Sequence, residues 1–228
     1  MITVLIVDDQ PVIRQGFSLF LQGEKDIEVV GQADTGLSAV EMAVRLRPQV
    51  ILMDVRMPEG TGLWATQQLL SPRSPIKPKI IVVTTFDLDE YVFKALDSGA
   101  SGFLLKDADP DELANAIRTV SRGGSALSST LMARLFDEFA RRRTHSFPSV
   151  ESQHELTQRE VEIVKLLSLG YSNQAIAETI CLEISTVKSH VGNISAKLKV
   201  GNRVQIVIWA FRTGIACPPD QYLLPQES

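Results

Sequence analysis

The sequence has few cysteines and no long apolar run, and each shortage excludes a class of protein. Only two cysteines, Cys181 and Cys217, occur among 228 residues, too few for a disulfide scaffold or a cysteine-based zinc site. No uninterrupted apolar stretch reaches the ~18–20 residues that a membrane helix needs. The first residues lack a basic segment and reach Asp8 and Asp9 at once, unlike a secretory signal peptide. We therefore expect a protein of the reducing cytoplasm, without a membrane segment.

A large basic excess is also missing, because the formal net charge is −4. This total hides an asymmetry: residues 1–124 carry 12 Lys and Arg against 17 Asp and Glu, whereas residues 155–216 carry 7 against 5. An acidic first part and a mildly basic second part indicate different partners for the two. The basic excess of the second part is too small to predict nucleic-acid binding by itself.

The first 124 residues alternate short apolar runs with amphipathic segments. The runs predict buried strands at 2–7, 27–31, 50–53, 79–83 and 101–105. Apolar residues at three- and four-residue intervals predict helices at 11–22, 36–46, 62–70, 88–98 and 110–122. This alternation predicts a doubly wound α/β domain, in which helices cover both faces of a five-stranded parallel sheet.

The rest of the chain divides into a linker, a helical domain and a tail. Residues 125–154 are predicted to be a linker that contains one helix, at 128–143. From Glu155 the pattern predicts helices alone, at 158–168, 173–180, 185–198 and 203–212. Thr157 and Glu160 have the spacing of a capping box at the first of them. We therefore expect an α/β domain at 1–124, a small all-α four-helix domain at 155–216, and a tail at 217–228.

Five polar residues stand at predicted strand ends. Asp8 and Asp9 follow the first strand, and the third, fourth and fifth strands end at Asp54, Thr84 and Lys106. Because parallel strands have their carboxyl ends at one edge, these side chains should converge. Two like charges about 4 Å apart cost about 4 kcal/mol at an effective dielectric near 20, and Lys106 offsets only one carboxylate. Mg²⁺ fits as the missing counter-charge because it binds hard oxygen ligands. A carboxylate in such a site can accept a phosphoryl group.

The helical domain predicts a helix-turn-helix, because a tight turn separates its second and third helices. A generic helical bundle or docking domain is the alternative. The third helix presents hydrogen-bonding groups and cations suited to base edges and phosphates. These residues are Thr186, Lys188, Ser189, Asn193 and Lys197. Ser172 and Asn173 open the second helix, where free backbone N–H groups can hold phosphates.

The motifs of the first domain resemble those of receiver domains. They are Val-Asp-Asp-Gln-Pro at 7–11, Met-Asp-Val-Arg-Met-Pro at 53–58, Val-Val-Thr-Thr at 82–85 and Gly-Ala-Ser-Gly-Phe-Leu-Leu-Lys at 99–106. The resemblance implies a flavodoxin-like fold with Asp54 as the phosphoacceptor. It implies that the Mg²⁺ ligands are Asp8, Asp9, Asp54 and the backbone carbonyl of Arg56.

The same resemblance implies a switch around the phosphoryl group. Thr84 would donate a hydrogen bond to this group, and Lys106 would be its cationic partner. Phe103 stands where receivers have the aromatic residue that turns inward on activation. Asp107 departs from the family pattern, since many receivers have proline after the lysine, and we expect the loop after the fifth strand to differ.

The helical domain resembles the LuxR-type DNA-binding domain through its segments at 156–163, 170–177, 186–194 and 197–205. Joined to a receiver, it resembles the NarL/FixJ class of response regulators, over residues 1–122 and 155–215. This class implies a sensor histidine kinase and double-stranded promoter DNA as partners, and a homodimer on DNA or after phosphorylation. The fourth helix would form the dimer contact, through Val204, Val207 and Phe211. Gly192 departs from the frequent arginine or lysine.

We therefore predict a transcription regulator switched by phosphorylation, with no enzymatic activity beyond phosphorylation and dephosphorylation of its own Asp54. One alternative is a phosphatase or phosphotransferase with an aspartyl-phosphate intermediate. The adjacent Asp8 and Asp9 do not have the Asp-x-Asp spacing of the haloacid-dehalogenase type. A second alternative is a DNA-binding regulator that works without phosphorylation, against which the intact acid set argues. Before phosphorylation, we expect the receiver to lie near the third or fourth helix and hinder dimerisation on DNA.

Overall fold

The computed structural model of the chain describes residues 1–84, 94, 97–126 and 156–216. The chain divides into two compact units, Met1–Ala126 and Leu127–Ser228. Several predicted features lie outside the described residues: most of the helix at 88–98, the linker beyond Ala126 with its helix at 128–143, and the tail from Cys217. Each unit is described here by itself.

The first unit is built on a parallel sheet. Its strands are β1 (Ile2–Val7), β2 (Ile27–Ala33), β3 (Val50–Asp54), β4 (Lys79–Thr84) and β5 (Gly102–Leu105). Neighbouring strands are parallel throughout, in the order β2-β1-β3-β4-β5. The order reverses between β1 and β3, where doubly wound sheets have their functional crevice. The predicted flavodoxin-like fold is confirmed.

Helices cover both faces of this sheet, and the core has two halves. The helices are α1 (Pro11–Gln22), α2 (Gly36–Leu46), α3 (Gly62–Leu70) and α4 (Pro110–Ser121). Strand side chains alternate between the faces. One face packs against Phe17 and Leu21 of α1 and Leu113 and Ile117 of α4. The other packs against Ala39 and Ala43 of α2 and Ala65 and Leu69 of α3. Burial on both sides explains why the strands read as continuous apolar runs.

After α4 the chain returns to the open edge of β5. The Phe103 backbone N–H donates to the Ala126 carbonyl at 2.8 Å, and the Ala126 N–H donates to the Ser101 carbonyl at 3.3 Å. Gly102 and Ala126 form a parallel bridge. This pairing covers part of the sheet edge. It also joins the beginning of the predicted linker to the strand that contains Phe103.

The second unit contains the predicted four-helix domain. Its helices are α5 (Gln158–Ser168), α6 (Asn173–Thr179), α7 (Ile184–Leu198) and α8 (Arg203–Arg212). The capping box of Thr157 and Glu160 is present, as predicted. One buried core joins the helices through residues that include Ile163, Ile176, Val187, Ile194 and Ile206. Within the described ranges, no helix is long and apolar enough to cross a lipid bilayer.

Candidate functional site

The structure brings three carboxylates together at the carboxyl edge of the sheet. Asp8 and Asp9 directly follow β1, and Asp54 is the last residue of the adjacent β3. One carboxylate oxygen from each of the three lies within 4.8 Å of the other two. Asp8 and Asp54 are buried. The parallel topology thus produces the predicted convergence.

Lys106 neutralises part of this cluster. Its Nζ lies 2.7 Å from Asp8 Oδ2 and 2.8 Å from Asp54 Oδ2. Burial opposes the charged ammonium, but hydrogen bonds to the two carboxylates hold the pKa of Lys106 above its ordinary value. Burial also raises the pKa of Asp54, and the like charge of Asp8 adds to this, although Lys106 acts in the opposite direction. A full negative charge on Asp54 is therefore costly without a further cation.

A buried oxygen of Asp9 is a second observation that indicates a cation site. Its Oδ1 is buried and has no hydrogen-bond partner among the described residues. A buried carboxylate oxygen without a partner costs free energy. With all three carboxylates ionised, these acids and the Lys106 ammonium also have a net charge of −2. Both deficits fit a divalent cation held by hard oxygen ligands.

The remaining predicted receiver residues lie on β4, on β5 and in the loop after β3. Thr84 ends β4 next to β3, is 5% exposed, and its carbonyl accepts a hydrogen bond from the Lys106 backbone N–H at 2.8 Å. The Arg56 backbone N–H donates to Asp54 Oδ1 at 3.3 Å, which places this peptide beside the acid; the role of the Arg56 carbonyl stays a prediction. Phe103 is fully buried, so its ring points inward in this conformation.

Gly62 allows α3 to begin directly against the acid cluster. A Cβ at this position would lie 1.7 Å from the Asp54 carbonyl oxygen. The Gly62 N–H donates to the Val55 carbonyl at 3.1 Å, and the Thr61 hydroxyl accepts from the Trp64 N–H at 3.2 Å. These bonds close the loop after β3 tightly around Asp54.

The loop after β5 forms without the proline that many receivers have. Asp107 is exposed, and the Ala108 N–H donates to the Leu105 carbonyl at 3.1 Å. Asp109 then caps α4 by accepting from the Glu112 N–H at 2.8 Å. A regular turn therefore follows Lys106 and keeps its side chain over the acids.

In the second unit, α7 exposes most of the predicted DNA-binding face. Lys188, Ser189 and Asn193 are exposed, and Thr186 is half-buried at the margin of this face. Gly192 lies among them, exposed, and a Cβ there would meet nothing within 4 Å. The position at which LuxR-type domains often have a cation therefore has room for one in this chain.

Lys197 differs from the other residues of this face because it has an internal partner. Its Nζ donates to Glu160 Oε2 at 2.7 Å, and the Thr157 N–H donates to the same oxygen at 2.7 Å. Burial disfavours the ionised form of Glu160, but these two bonds more than compensate and hold its pKa below its ordinary value. Lys197 thus ties α7 to the start of α5, and a DNA contact from it stays a prediction.

The start of α6 is in contact with a residue that the sequence did not indicate, Arg203. Ser172 caps this helix by accepting from the Ala175 N–H at 3.1 Å. The side-chain oxygen of Asn173 accepts a hydrogen bond from Arg203 at 3.0 Å. Arg203 comes 30 residues later, at the first turn of α8, so no local pattern could reveal this pair.

The residues predicted to form the dimer contact are buried within this chain. Val204, Val207 and Phe211 of α8 are 1%, 4% and 5% exposed. Side chains with so little exposure offer little surface to a second copy in this conformation. The dimer contact through α8 stays a prediction.

The two units together define a class of protein, in which a domain with an acid pocket suited to a phosphoryl group is followed by a helix-turn-helix domain. Two family models match the chain, the response regulator receiver domain over residues 4–118 and the bacterial regulatory proteins of the luxR family over residues 154–210. The transcriptional regulatory protein LiaR of Bacillus subtilis is 40% identical over 93% of this chain and 98% of its own length. The response regulator protein VraR of Staphylococcus aureus is 39% identical over 92% of this chain and 97% of its own length.

Solved structures agree with these relatives. The response regulator ChrA of a heme-sensing two-component system is 29% identical, with a TM-score of 0.52, over 94% of this chain and 98% of its own. The RcsB–DNA complex, at 22% identity and a TM-score of 0.54 over 91% of this chain and 96% of its own, shares the fold. The chain therefore belongs to the two-component response regulators of the NarL/FixJ class, which join a receiver to a LuxR-type DNA-binding domain. The predicted family and general function are confirmed.

Proposed function

We propose that phosphorylation of Asp54 by a sensor histidine kinase switches the DNA binding of this regulator. The observation that carries the proposal is the acid cluster with its single lysine: Lys106 bridges Asp8 and Asp54, while Asp9 Oδ1 has no partner among the described residues. Asp8, Asp9 and Asp54 would hold Mg²⁺, with the Arg56 carbonyl as a further ligand. When bound, Mg²⁺ supplies positive charge for the phosphoryl oxygens.

Asp54 is the proposed nucleophile of the transfer. One of its carboxylate oxygens attacks the phosphorus of the kinase phosphohistidine. The phosphorus–nitrogen bond breaks, and the imidazole leaves with the electron pair and takes up a proton. Lys106, already 2.8 Å from Asp54 Oδ2, would move to the new phosphoryl oxygens, and the Thr84 hydroxyl would donate to one of them. The setting that we propose is the cytoplasm, where kinase and DNA are both within reach.

The pairing of Ala126 with β5 supports a route from Asp54 to the DNA-binding domain. Lys106 directly follows β5, and Phe103 lies three residues before it. The Phe103 backbone N–H is bonded to Ala126, where the predicted linker begins. A shift of β5 that accompanies movement of Lys106 would therefore displace the first residues of the linker. We propose that this pairing, formed in one state and broken in the other, is the two-state element that the added charge biases.

The DNA contacts that we propose lie on the exposed face of α7 and at the start of α6. Lys188, Ser189 and Asn193 would contact base edges and phosphates in the major groove, because they are exposed together on one helix. Ser172 and Asn173 would contact phosphates, and Thr186 and Lys197 would add contacts at the margins. A homodimer through α8 would place two such units on two half-sites about one helical turn apart.

Phosphotransfer from a phosphohistidine donor tests the switch. In the presence of Mg²⁺ we expect the wild-type chain to take one phosphoryl group and the Asp54→Asn variant to take none. Asp107→Asn is the matched control, because Asp107 is exposed and also near the site. Labelling of Asp54→Asn at the wild-type rate would refute the assignment. Turnover of small phosphomonoesters would instead favour an enzyme.

A truncation that begins near Ser149 tests the proposed inhibition by the receiver. Without the receiver, it should bind DNA without a phosphodonor. Binding no tighter than that of the unphosphorylated full chain would exclude inhibition, and phosphorylation would then act by joining receivers. In either form, replacing Lys188, Ser189 and Asn193 together with alanine should abolish sequence-specific binding. Undiminished binding would refute the assigned DNA-binding face.

A further inference from the structure

Arg203 makes an unusual set of contacts at the start of α8. Its Nη1 donates to Asn173 Oδ1 at 3.0 Å, and its Nη2 donates to the Tyr171 carbonyl oxygen. Both acceptors are neutral, and Arg203 forms no ion pair within the part of the chain that the structure describes. Burial lowers the pKa of Arg203 to about 10, so its guanidinium remains charged at neutral pH. A half-buried cation held by neutral oxygens keeps its charge for another partner.

The chemistry of the guanidinium determines which way the Asn173 amide faces. Arginine has only N–H donors, so the amide atom that contacts it must be the oxygen. The amino group of Asn173 is then the free end of the side chain. Its sequence neighbours Ser172 and Gln174 are both exposed, so this donor belongs to the polar surface at the start of α6.

We propose that Arg203 is a positioning residue for DNA binding, which holds the Asn173 amide so that its Nδ2 donates to a phosphate oxygen of the DNA backbone. The inference rests on the DNA contacts proposed above and adds a residue that lies outside the helix-turn-helix. A phosphodiester is the matching ligand because its oxygens only accept hydrogen bonds and its charge is attracted to the guanidinium. Without this contact the amide would have no fixed orientation, and its donor would no longer be held toward the phosphate.

The replacement of Arg203 by lysine separates positioning from charge. Lysine keeps the positive charge but lacks the planar fork that reaches two oxygens at once. The probe is a DNA duplex selected from a random pool by the phosphorylated wild-type chain. We expect Arg203→Lys to weaken binding by about fivefold, the size of one ordinary hydrogen bond. The salt dependence of Kd should not change, because the number of charges is the same.

A double-mutant cycle shows whether Arg203 acts through Asn173. In the Asn173→Ala background, Arg203→Lys should cause no further loss of affinity, because the amide that it positions is absent. Arg212→Lys is the matched control, an exposed arginine at the other end of the same helix. Asn173→Asp is a second variant that keeps the contact with Arg203 as an ion pair. It lacks the donor, and it should bind more weakly than Asn173→Ala.

Three results would overturn the inference. One is a Kd for Arg203→Lys equal to that of Arg212→Lys. If the midpoint of unfolding alone falls in Arg203→Lys, the residue only holds α8 against the start of α6. Another is an equal loss from Arg203→Lys in the presence and absence of the Asn173 side chain. The third is wild-type affinity of Asn173→Asp. Absence of any binding by the wild-type chain would instead refute the proposed function itself.

Discussion

Replacing Lys106 with methionine removes the cation that bridges the buried acids Asp8 and Asp54. The Lys106 side chain is 8% exposed, and those of Asp8 and Asp54 are 3% and 5% exposed. Methionine keeps a similar length and packing, so the change is mainly one of charge. It leaves two buried carboxylates without their shared partner, and the already raised pKa of Asp54 should rise further.

The expected cost follows from this geometry. Removing one partner of a buried ion pair costs about 3–5 kcal/mol, because the other charge is left uncompensated. Protonation of Asp54 limits this cost, so we expect about 3 kcal/mol in the absence of divalent cations. With a urea m-value of about 2 kcal/mol/M, the midpoint of receiver unfolding should fall by about 1.5 M. Saturating Mg²⁺ should reduce the difference between variant and wild type, because it supplies the missing positive charge.

Tryptophan fluorescence can measure this in the full chain. The sequence has two tryptophans, Trp64 in the receiver and Trp209 in the DNA-binding domain. In a Trp209→Phe background, fluorescence reports receiver unfolding alone. Lys79→Met, at an exposed lysine of β4, is the matched control. If Lys106→Met unfolds within about 0.5 kcal/mol of this control in EDTA, Lys106 does not carry the compensating charge, and the reasoning fails.

Three further predictions concern the rest of the chain. Hydrogen bonds hold the pKa of Glu160 below its ordinary value of 4.5, so this carboxylate should stabilise the DNA-binding domain above about pH 4.5 and lose this effect as pH falls through the folded-state pKa. In Glu160→Gln, the midpoint of thermal unfolding should therefore depend less on pH in the acid range. Gly192→Ala should stabilise α7 by about 0.5–1 kcal/mol, while Gly192→Lys should also steepen the salt dependence of DNA binding by about one charge; an unchanged slope would mean that this position does not face DNA. A Cβ at residue 102 would lie 3.0 Å from both the carbonyl oxygen and the Cβ of Ala126, so Gly102→Val should displace Ala126. Phosphorylation should then proceed while its effect on DNA affinity falls, and an unchanged effect would exclude Ala126 from the coupling.

Local patterns in the sequence predicted most of the secondary structure. The predicted and observed bounds agree within a residue or two wherever the structure describes them, as at Pro11–Gln22 and Gln158–Ser168. Such segments are well predicted because apolar periodicity and caps act over a few residues. The acid site could also be predicted from the sequence, because the carboxyl ends of parallel strands lie at one edge of a sheet whatever the details of packing.

The sequence by itself therefore determined the element types, the doubly wound sheet and the convergence of Asp8, Asp9, Asp54 and Lys106, because each depends on local periodicity or on one rule of topology. Only the tertiary structure decided which partners these and other groups have. It showed that Lys197 bonds to Glu160, that Arg203 holds Asn173, and that Phe103 and Ala126 share a hydrogen bond. These contacts join residues 23 to 37 positions apart, and hydrogen bonds across such separations depend on how helices and strand edges pack, which leaves no periodic signal in the chain.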